Sequence, residues 1–346
     1  MTPRRILLVG NFDRKALGRH FFNTDHALLN GFIRLGHFAL PFSDRDVARE
    51  VWPWRSSRLG KAGMNRRLLE TARHFRPHLV LFFHSDLVTA ETFDALRTAA
   101  PGAALAQVNV DPTDRPRTMA AFTARAARLD VSFITTACPA ALRAISPRPG
   151  AVAFMPNPVD PSVETAQVWA VPRDRLAHDV LFLGNGDHRR PQQIAALRAA
   201  LPGDVRFEAG GGIDGTPRLS SVVFLDALAA AAQSPAIPLD DRVPVPWLYS
   251  SNRLAILLGQ GLLAHVPASA RQETLYEEGV VPFDGPEALA AACTRYARDD
   301  GARRRVAERG WRIARERTSC DRVAAYLLET ALGESPSAWP WPVERW

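Results

Sequence analysis

The chain has 346 residues, of which 47% are hydrophobic and 23% charged, a globular composition long enough for two domains. Its apolar runs fall far short of the roughly 20 residues that span a bilayer, and the first is too short for a signal peptide, so we expect a cytoplasmic protein. The net charge of +7 favours an anionic substrate or an anionic membrane surface, and no nucleic-acid-binding motif accompanies it. Three widely separated cysteines predict neither a disulfide framework nor a zinc site.

Short apolar strands alternate with helical patterns through the first half of the chain. The predicted strands cover residues 5–10, 38–42, 79–83, 104–110, 131–135 and 152–155. The predicted helices cover residues 25–35, 64–75, 90–99, 117–127 and 140–145. This alternation predicts one doubly wound parallel-sheet domain over residues 1–165. Residues 156–175 carry four prolines and no periodicity, which is typical of an interdomain linker.

The same alternation restarts after this segment and predicts a second domain over residues 166–318. Its predicted strands cover residues 179–183, 205–208, 262–266 and 280–283. Its predicted helices cover residues 191–200, 221–231, 250–258, 274–278, 286–298 and 301–316. We expect the last segment, residues 319–346, to form a helix that packs back on the first domain. The tail rich in tryptophan and proline is then either a disordered end or a strap on an apolar surface.

The loop after the strand at residues 179–183 is the first candidate binding site. It contains Gly184, Asn185 and Gly186, and it leads through Arg189 and Arg190 into a helix. Free N–H groups and the positive end of the helix dipole would face this loop, so a diphosphate would be held well there. An ordinary strand-to-helix turn with solvated arginines is the alternative.

A second candidate is the helix that begins near residue 250. Ser250, Ser251 or Asn252 can cap it, and its first turn then offers Arg253 to an anion. Gly261 follows the helix and admits close approach to the next strand. An N-capped core helix without a ligand explains the same residues.

Three polar residues follow predicted strands of the first domain, at the ends where open α/β sheets place ligands. They are His84, Asp86 and Asp111, and we take them as acid/base candidates. Asp44-Arg45-Asp46 has the DxD form of some metal-diphosphate sites. Because two acids two residues apart are common in charged loops, no metal site is predicted.

An ordered set of motifs over nearly the whole chain resembles the group 1 glycosyltransferases, in particular the branch related to the spore maturation protein CgeB. In the second half these motifs are Ser251-Asn252-Arg253, Gly259-Gln260-Gly261, Glu273 to Gly279, Gly285 to Leu289 and Arg317-Thr318-Ser319. In the first half they are His84-Ser85-Asp86, Thr89 to Thr92, Asn109 to Pro112 and Met155 to Asp160.

This resemblance implies the GT-B architecture, in which two Rossmann-like domains face each other across a cleft and the C-terminal one binds a nucleotide-sugar. It further implies transfer of a sugar to a polysaccharide, lipid-linked or protein acceptor without a metal or other cofactor, with Glu277 or Glu278 holding donor hydroxyls. Peripheral contact with an anionic membrane is a further expectation. Ile256 departs from the family, because many members have a glutamate there, so the retaining mechanism is not secured.

Two other functions remain open. An NAD(P)-linked oxidoreductase could use the Gly184 loop with Glu208 as the ribose-binding acid, although Arg189 stands where the third glycine of the fingerprint belongs. A non-catalytic binding protein that keeps the GT-B shell would explain the aliphatic residue at Ile256.

Overall fold

The computed structural model describes residues 2–12, 14–213, 215–334 and 337–346; of Arg14 it describes only the backbone. The chain divides into two compact units. The first unit combines Met1–Pro158 with Cys320–Trp346, and the second is Val159–Ser319. Residues 159–165, which the sequence analysis assigns to the first domain, therefore lie in the second unit.

The first unit is built on a six-stranded parallel sheet with the order β2-β1-β3-β4-β5-β6. The central strands are continuous apolar runs because helices cover both faces of such a sheet. The strands are β1 (Arg5–Gly10), β2 (Phe38–Ser43), β3 (Leu79–Phe83), β4 (Ala104–Asn109), β5 (Val131–Ile134) and β6 (Val152–Phe154).

In the described part of this unit, seven α-helices flank the sheet. They are α1 (Thr24–Arg34), α2 (Asp44–Glu50), α3 (Lys61–Phe75), α4 (Ala90–Ala99), α5 (Pro116–Ala126), α6 (Pro139–Ile145) and α13 (Cys320–Leu332). The Thr89 hydroxyl caps α4, and prolines open α5 and α6, where a missing N–H has no cost. α13 packs on α1, where a Cβ at Gly31 would overlap the Cys320 carbonyl. Sequence analysis did not predict α2.

The C-terminal tail lies as a strap along the edge of the first sheet. The N–H of Trp346 donates to the Val152 carbonyl at 2.8 Å, and the N–H of Val152 donates back at 2.9 Å. Trp339 stacks on Trp341 with ring centroids 5.2 Å apart, and both rings meet Tyr326 of α13 edge-on. The strap covers edge strand β6, whose N–H and C=O groups would otherwise be open to pairing. Ser335 and Pro336, part of the tail in the sequence analysis, lie outside the described residues.

The second unit has a five-stranded parallel sheet with the order β11-β10-β9-β7-β8. Its strands are β7 (His178–Leu183), β8 (Phe207–Gly210), β9 (Ala231–Pro235), β10 (Leu263–Pro267) and β11 (Val280–Phe283). Its α-helices are α7 (Arg190–Ala200), α8 (Ser221–Ala229), α9 (Asn252–Gln260), α10 (Glu273–Tyr276), α11 (Gly285–Arg298) and α12 (Asp300–Arg317). The predicted alternation of strands and helices is therefore confirmed in both units.

Two strands differ from the sequence prediction by more than one residue at an end. β9 was missed because its sequence, Ala-Ala-Gln-Ser-Pro, has low strand propensity, yet it lies fully buried at the centre of the sheet. The Gln233 side chain there bonds to His265 and to the Cys293 carbonyl, so tertiary contacts satisfy its polar groups. β8 begins two residues later than predicted, which places Glu208 inside the strand.

The proline-rich segment that the sequence analysis treats as a linker is attached firmly within the second unit. The fully buried Arg303 donates to the carbonyls of Val168 and Val171, and Arg304 donates to the carbonyl of Trp169. These bonds fasten the segment to α12. In the described part of the chain, no helix has the length and apolar character needed to cross a bilayer.

Candidate functional site

Two glycine-containing loops pack together where β7 and β8 end. The Gly184 N–H donates to the Gly210 carbonyl at 3.1 Å. A Cβ at Gly211, whose φ is +86°, would stand 2.9 Å from the Gly184 nitrogen, and a Cβ at Gly186 would stand 2.8 Å from the Gly212 oxygen. Only glycine permits this approach, so the loops form a backbone surface at the carboxyl edge of the sheet. Ligands of open α/β sheets bind at this edge.

Arg253 lies directly against this glycine surface. Its guanidinium carbon is 4.6 Å from the centre of the Phe182 ring, in cation–π geometry. A Cβ at Gly184 would come within 2.5 Å of Arg253 Nη2 and 2.9 Å of Phe182 Cζ. The absence of a side chain at Gly184 therefore makes the room in which the guanidinium sits.

Arg190 brings a second positive charge to the same ring. Its guanidinium carbon is 5.9 Å from the Phe182 centroid, its Nε donates to the Ile237 carbonyl at 3.3 Å, and its Nη1 bonds to the Asn185 amide oxygen. Burial, and then the charge of Arg190, lower the pKa of Arg253 to about 9. No hydrogen bond or salt bridge joins the Arg253 side chain to another described residue. An anion bound here would offset both the burial of the Arg253 cation and the repulsion from Arg190.

The beginnings of two helices add backbone donors to this region. α7 begins at Arg190, and α9 begins at Asn252 after Ser251 in the N-cap position. The Ser251 side chain makes no capping hydrogen bond, contrary to the capping role considered in the sequence analysis. Ser250 precedes it in the same extended segment. Helix N-termini favour anions because their first N–H groups have no partner within the helix.

Arg189 is placed differently from Arg190 and Arg253. Its Nε lies 2.7 Å from Asp241 and 3.7 Å from Asp240, so two carboxylates balance its charge. Asn185 orients the loop, since its amide donates to Asp187 and accepts from Arg190. Of the three arginines taken as diphosphate candidates, Arg253 is the one whose side chain has no hydrogen-bond or salt-bridge partner among the described residues.

Glu277, Glu278 and Gly261 have structural surroundings that the sequence analysis did not foresee. The Glu277 carboxylate bonds to Arg317 and to Arg309 of α12, and these two bonds hold its pKa below the usual range. Glu278 is exposed. Gly261 ends α9 in a left-handed conformation, where a Cβ would meet the Trp169 ring. It lies at the opposite end of α9 from Arg253, about 13 Å along a nine-residue helix.

Sequence analysis missed other residues beside the glycine loops. Gly210 ends β8, and Gly211 and Gly212 follow it; this glycine run was the signal that could have located the second loop. Gln272 Nε2 donates to the Tyr249 carbonyl at 2.9 Å and so brings α10 beside the start of α9. Glu273 follows it, with a carboxylate oxygen that is buried and lacks a hydrogen-bond partner in the described residues.

In the first unit the structure brings His84 and Asp111 together. His84 Nδ1 is 3.7 Å from one Asp111 oxygen, and Arg115 Nη1 is 3.7 Å from the other. His84 has φ of +36°, a rare conformation for a residue with a side chain, and such strain is often kept at functional positions. The Asn109 amide donates to the Asp111 carbonyl and fixes the turn.

Asp86 points to a different partner, because Arg45 Nη2 is 2.9 Å from its carboxylate. Asp44, which precedes Arg45, is buried, and one of its oxygens has no hydrogen-bond partner among the described residues. Burial raises the pKa of Asp44 to about 7. Asp46 bonds to the Ser43 hydroxyl. No cluster of three or more potential metal ligands is found in the described parts of either unit.

Solved structures with the same architecture cover almost the whole chain. HepE from Anabaena, in complex with UDP and glucose, aligns over 94% of this chain and 99% of its own, with 11% identity and a TM-score of 0.64. The chain has the GT-B fold. Sucrose-phosphate synthase from Thermosynechococcus elongatus aligns over 94% and 97%, with 13% identity and a TM-score of 0.58. A UDP-forming trehalose-phosphate synthase from Burkholderia xenovorans aligns over 95% and 99%, with 10% identity and a TM-score of 0.55.

The sequence of this GT-B chain also matches the glycosyl transferase-like family over residues 190–329. The match begins at Arg190 and includes Arg253, so it covers both arginines that lie beside the Phe182 ring. A search of curated proteins finds no significant match. The predicted relationship to glycosyltransferases is thus confirmed at the level of fold and partial family match, and the relationship to the CgeB branch stays a prediction.

Proposed function

We propose that this protein is a glycosyltransferase that moves a sugar, a hexose in the first instance, from a nucleotide-diphosphate donor to an acceptor. One arrangement carries the proposal. Arg253 and Arg190 lie beside the Phe182 ring and the glycine loops, and the pKa of Arg253 is lowered because no counter-charge accompanies its burial. A diphosphate supplies that counter-charge.

Sugar transfer breaks the bond between the anomeric carbon and the diphosphate oxygen, and the electron pair leaves with the diphosphate. Two guanidinium groups and the first N–H groups of α7 and α9 can stabilise this developing charge. We therefore propose that the reaction needs neither a metal ion nor another cofactor.

UDP is the nucleotide to test first. HepE is described in complexes with UDP and with UDP-glucose, and the Burkholderia enzyme is described as UDP-forming. At about 10% identity these likenesses show the fold alone, so UDP as the donor nucleotide of this chain is a proposal.

On the acceptor side we propose that His84 removes the hydroxyl proton and that Asp111 orients its ring. The separation of 3.7 Å between His84 Nδ1 and the Asp111 carboxylate supports this pairing. Asp86 is engaged by Arg45 and is better suited to hold the loop than to move a proton. The acceptor is a cell-surface polysaccharide, a lipid-linked glycan or a protein. Separately from the reaction, we propose peripheral contact with the inner face of an anionic membrane.

Two alternatives are less well supported by the geometry. An NAD(P) enzyme needs an acid at the tip of the strand after the glycine loop, but Glu208 lies inside β8 and accepts from the Ala209 N–H. The second alternative, a non-catalytic binding protein, is still supported by Ile256, which is a buried aliphatic residue of α9. It would bind the nucleotide without turning over the donor.

A thermal-shift screen with UDP, GDP, CMP, dTDP and NAD, followed by a donor-turnover assay, tests the proposal. A ligand at about 100 times its Kd stabilises the folded state by about 2.7 kcal/mol and raises its Tm. We expect UDP to act and NAD not to act, and we expect His84→Ala to lower kcat by about 10²-fold or more while UDP binding is kept. A shift with NAD alone would refute the proposal, and UDP binding without donor turnover would favour the non-catalytic alternative.

A further inference from the structure

Two loops of the first unit expose large apolar side chains to solvent. Leu17 is 87% exposed in the loop after β1, and Trp54 is 80% exposed in the loop between α2 and α3, where Leu59 is 56% exposed. Burying such side chains is favourable, and a tryptophan held in water usually marks a contact surface. We call the loops around Leu17 and Trp54 the apolar-basic surface.

The sequence segments that carry these side chains are basic. Residues 51–69 contain five basic residues and no acidic one, and residues 14–24 likewise contain no acidic residue. Arg55 and Arg58 are exposed next to Trp54, and Lys15 and Arg19 are exposed on either side of Leu17. None of these four cations forms a salt bridge with another described residue. Their charge is therefore available to an external anion.

The fold places both loops at the carboxyl edge of the six-stranded sheet. One loop directly follows β1, and the other leads from α2, which follows the neighbouring strand β2. The start of α3 is attached to the loop after β3, because the Asn65 amide donates to the Leu87 carbonyl and accepts from the Thr89 N–H. The apolar-basic surface thus belongs to the same edge as His84.

We propose that the apolar-basic surface docks on an anionic lipid bilayer, with Leu17 and Trp54 entering the headgroup region and Arg55 and Arg58 contacting lipid phosphates. Interfacial tryptophan together with unpaired basic side chains is the combination that holds proteins on anionic membranes. This proposal stands on exposure and charge and does not depend on transferase activity. If the protein is a transferase, docking would bring a lipid-linked acceptor to the edge that carries His84.

Vesicle flotation with the full chain tests the proposal. The vesicles are 30% phosphatidylglycerol in phosphatidylcholine, with pure phosphatidylcholine as the neutral comparison. A basic side chain near an anionic surface contributes about fivefold in partitioning, so Arg55→Ala with Arg58→Ala should weaken binding by about 25-fold. Leu17→Ser with Trp54→Ser should weaken binding by roughly tenfold or more without changing the net charge.

Matched controls lie in the second unit. Val222→Ser with Val223→Ser removes two exposed apolar side chains, each 55% exposed, and Arg305→Ala with Arg312→Ala removes two exposed charges from α12. Circular dichroism confirms that each variant is folded. Loss of binding in both surface variants, with both controls unchanged, supports docking.

Three results would overturn the proposal. The first is that the wild type does not float with the anionic vesicles. The second is an equal loss in the surface and control arginine variants, which would show only general attraction to a basic protein. The third is that Leu17→Ser with Trp54→Ser binds the vesicles normally, and that Arg55→Ala with Arg58→Ala is the only surface variant that weakens binding to heparin. That result would point to a soluble polyanion as the ligand.

Discussion

Replacement of Arg253 is the sharpest test of the donor site. Arg253 packs on Phe182 and beside Gly184, and burial lowers its pKa to about 9. A guanidinium bonded to phosphate contributes about 1.5 to 3 kcal/mol, so Arg253→Ala should weaken UDP binding by about 10-fold to 150-fold. Arg253→Met should do the same although it keeps a side chain on the Phe182 ring. Binding of uridine, which lacks the diphosphate, should barely change.

The lowered pKa adds a second signature to this test. Because the pKa of Arg253 lies near 9, the cation is lost as the pH rises through that value, and UDP affinity should fall there. An ordinary arginine, whose pKa lies far above this pH range, would show no such change. Isothermal titration calorimetry between about pH 7 and pH 9.5, with uridine as the reference ligand, measures the effect. In Arg253→Met the pH dependence should disappear.

The control must be chosen from the structure. Arg304 of α12 is unsuitable, because its side chain donates to the Trp169 carbonyl and its replacement would disturb the fold. Replacement of the exposed Arg305 removes the same charge, and its side chain makes no hydrogen bond or salt bridge to another described residue. If Arg305→Ala and Arg253→Ala weaken UDP binding equally, and if salt abolishes the preference for UDP over uridine, the donor-site assignment is refuted.

Four further predictions follow from individual contacts. Gly184→Ala would place a Cβ 2.5 Å from Arg253 Nη2, so calorimetry should show at least about tenfold weaker UDP binding because the guanidinium is displaced. Asp44→Asn should raise the free energy of unfolding in urea by roughly 2 to 4 kcal/mol at pH 8 and leave it about equal to that of the wild type at pH 4. The reason is that the raised pKa of Asp44 makes the wild type lose stability as the pH rises from about 4 through 7. Glu277→Gln should leave UDP affinity within about threefold of wild type in the same titration, and a larger loss would restore its proposed contact with the donor. Trp341→Ala should lower the free energy of unfolding by roughly 3 to 5 kcal/mol in urea, and a change below about 1 kcal/mol would mean that the tail is not attached in solution.

The sequence by itself determined the architecture and one half of the candidate site. Continuous apolar runs such as those of β1, β3 and β7 are long enough to predict buried parallel strands, and the loop from Gly184 to Arg190 could be located because it directly follows such a run. These signals are local, since each lies within a few residues of the element that it predicts. The resemblance to glycosyltransferases rests on ordered motifs and could likewise be recognised without coordinates.

Only the tertiary structure decided which charges are available to a ligand. Arg189 and Arg253 are equivalent by residue type, but Asp240 and Asp241 balance the first and no described acid balances the second. Similarly, Glu277 is bound by two arginines of α12, which lie far from it in sequence. The charge state and reach of a side chain depend on neighbours brought together by packing, and spacing along a single chain carries little information about such neighbours. For that reason the sequence could locate the candidate loops, whereas the charge balance of the individual side chains came only from the structure.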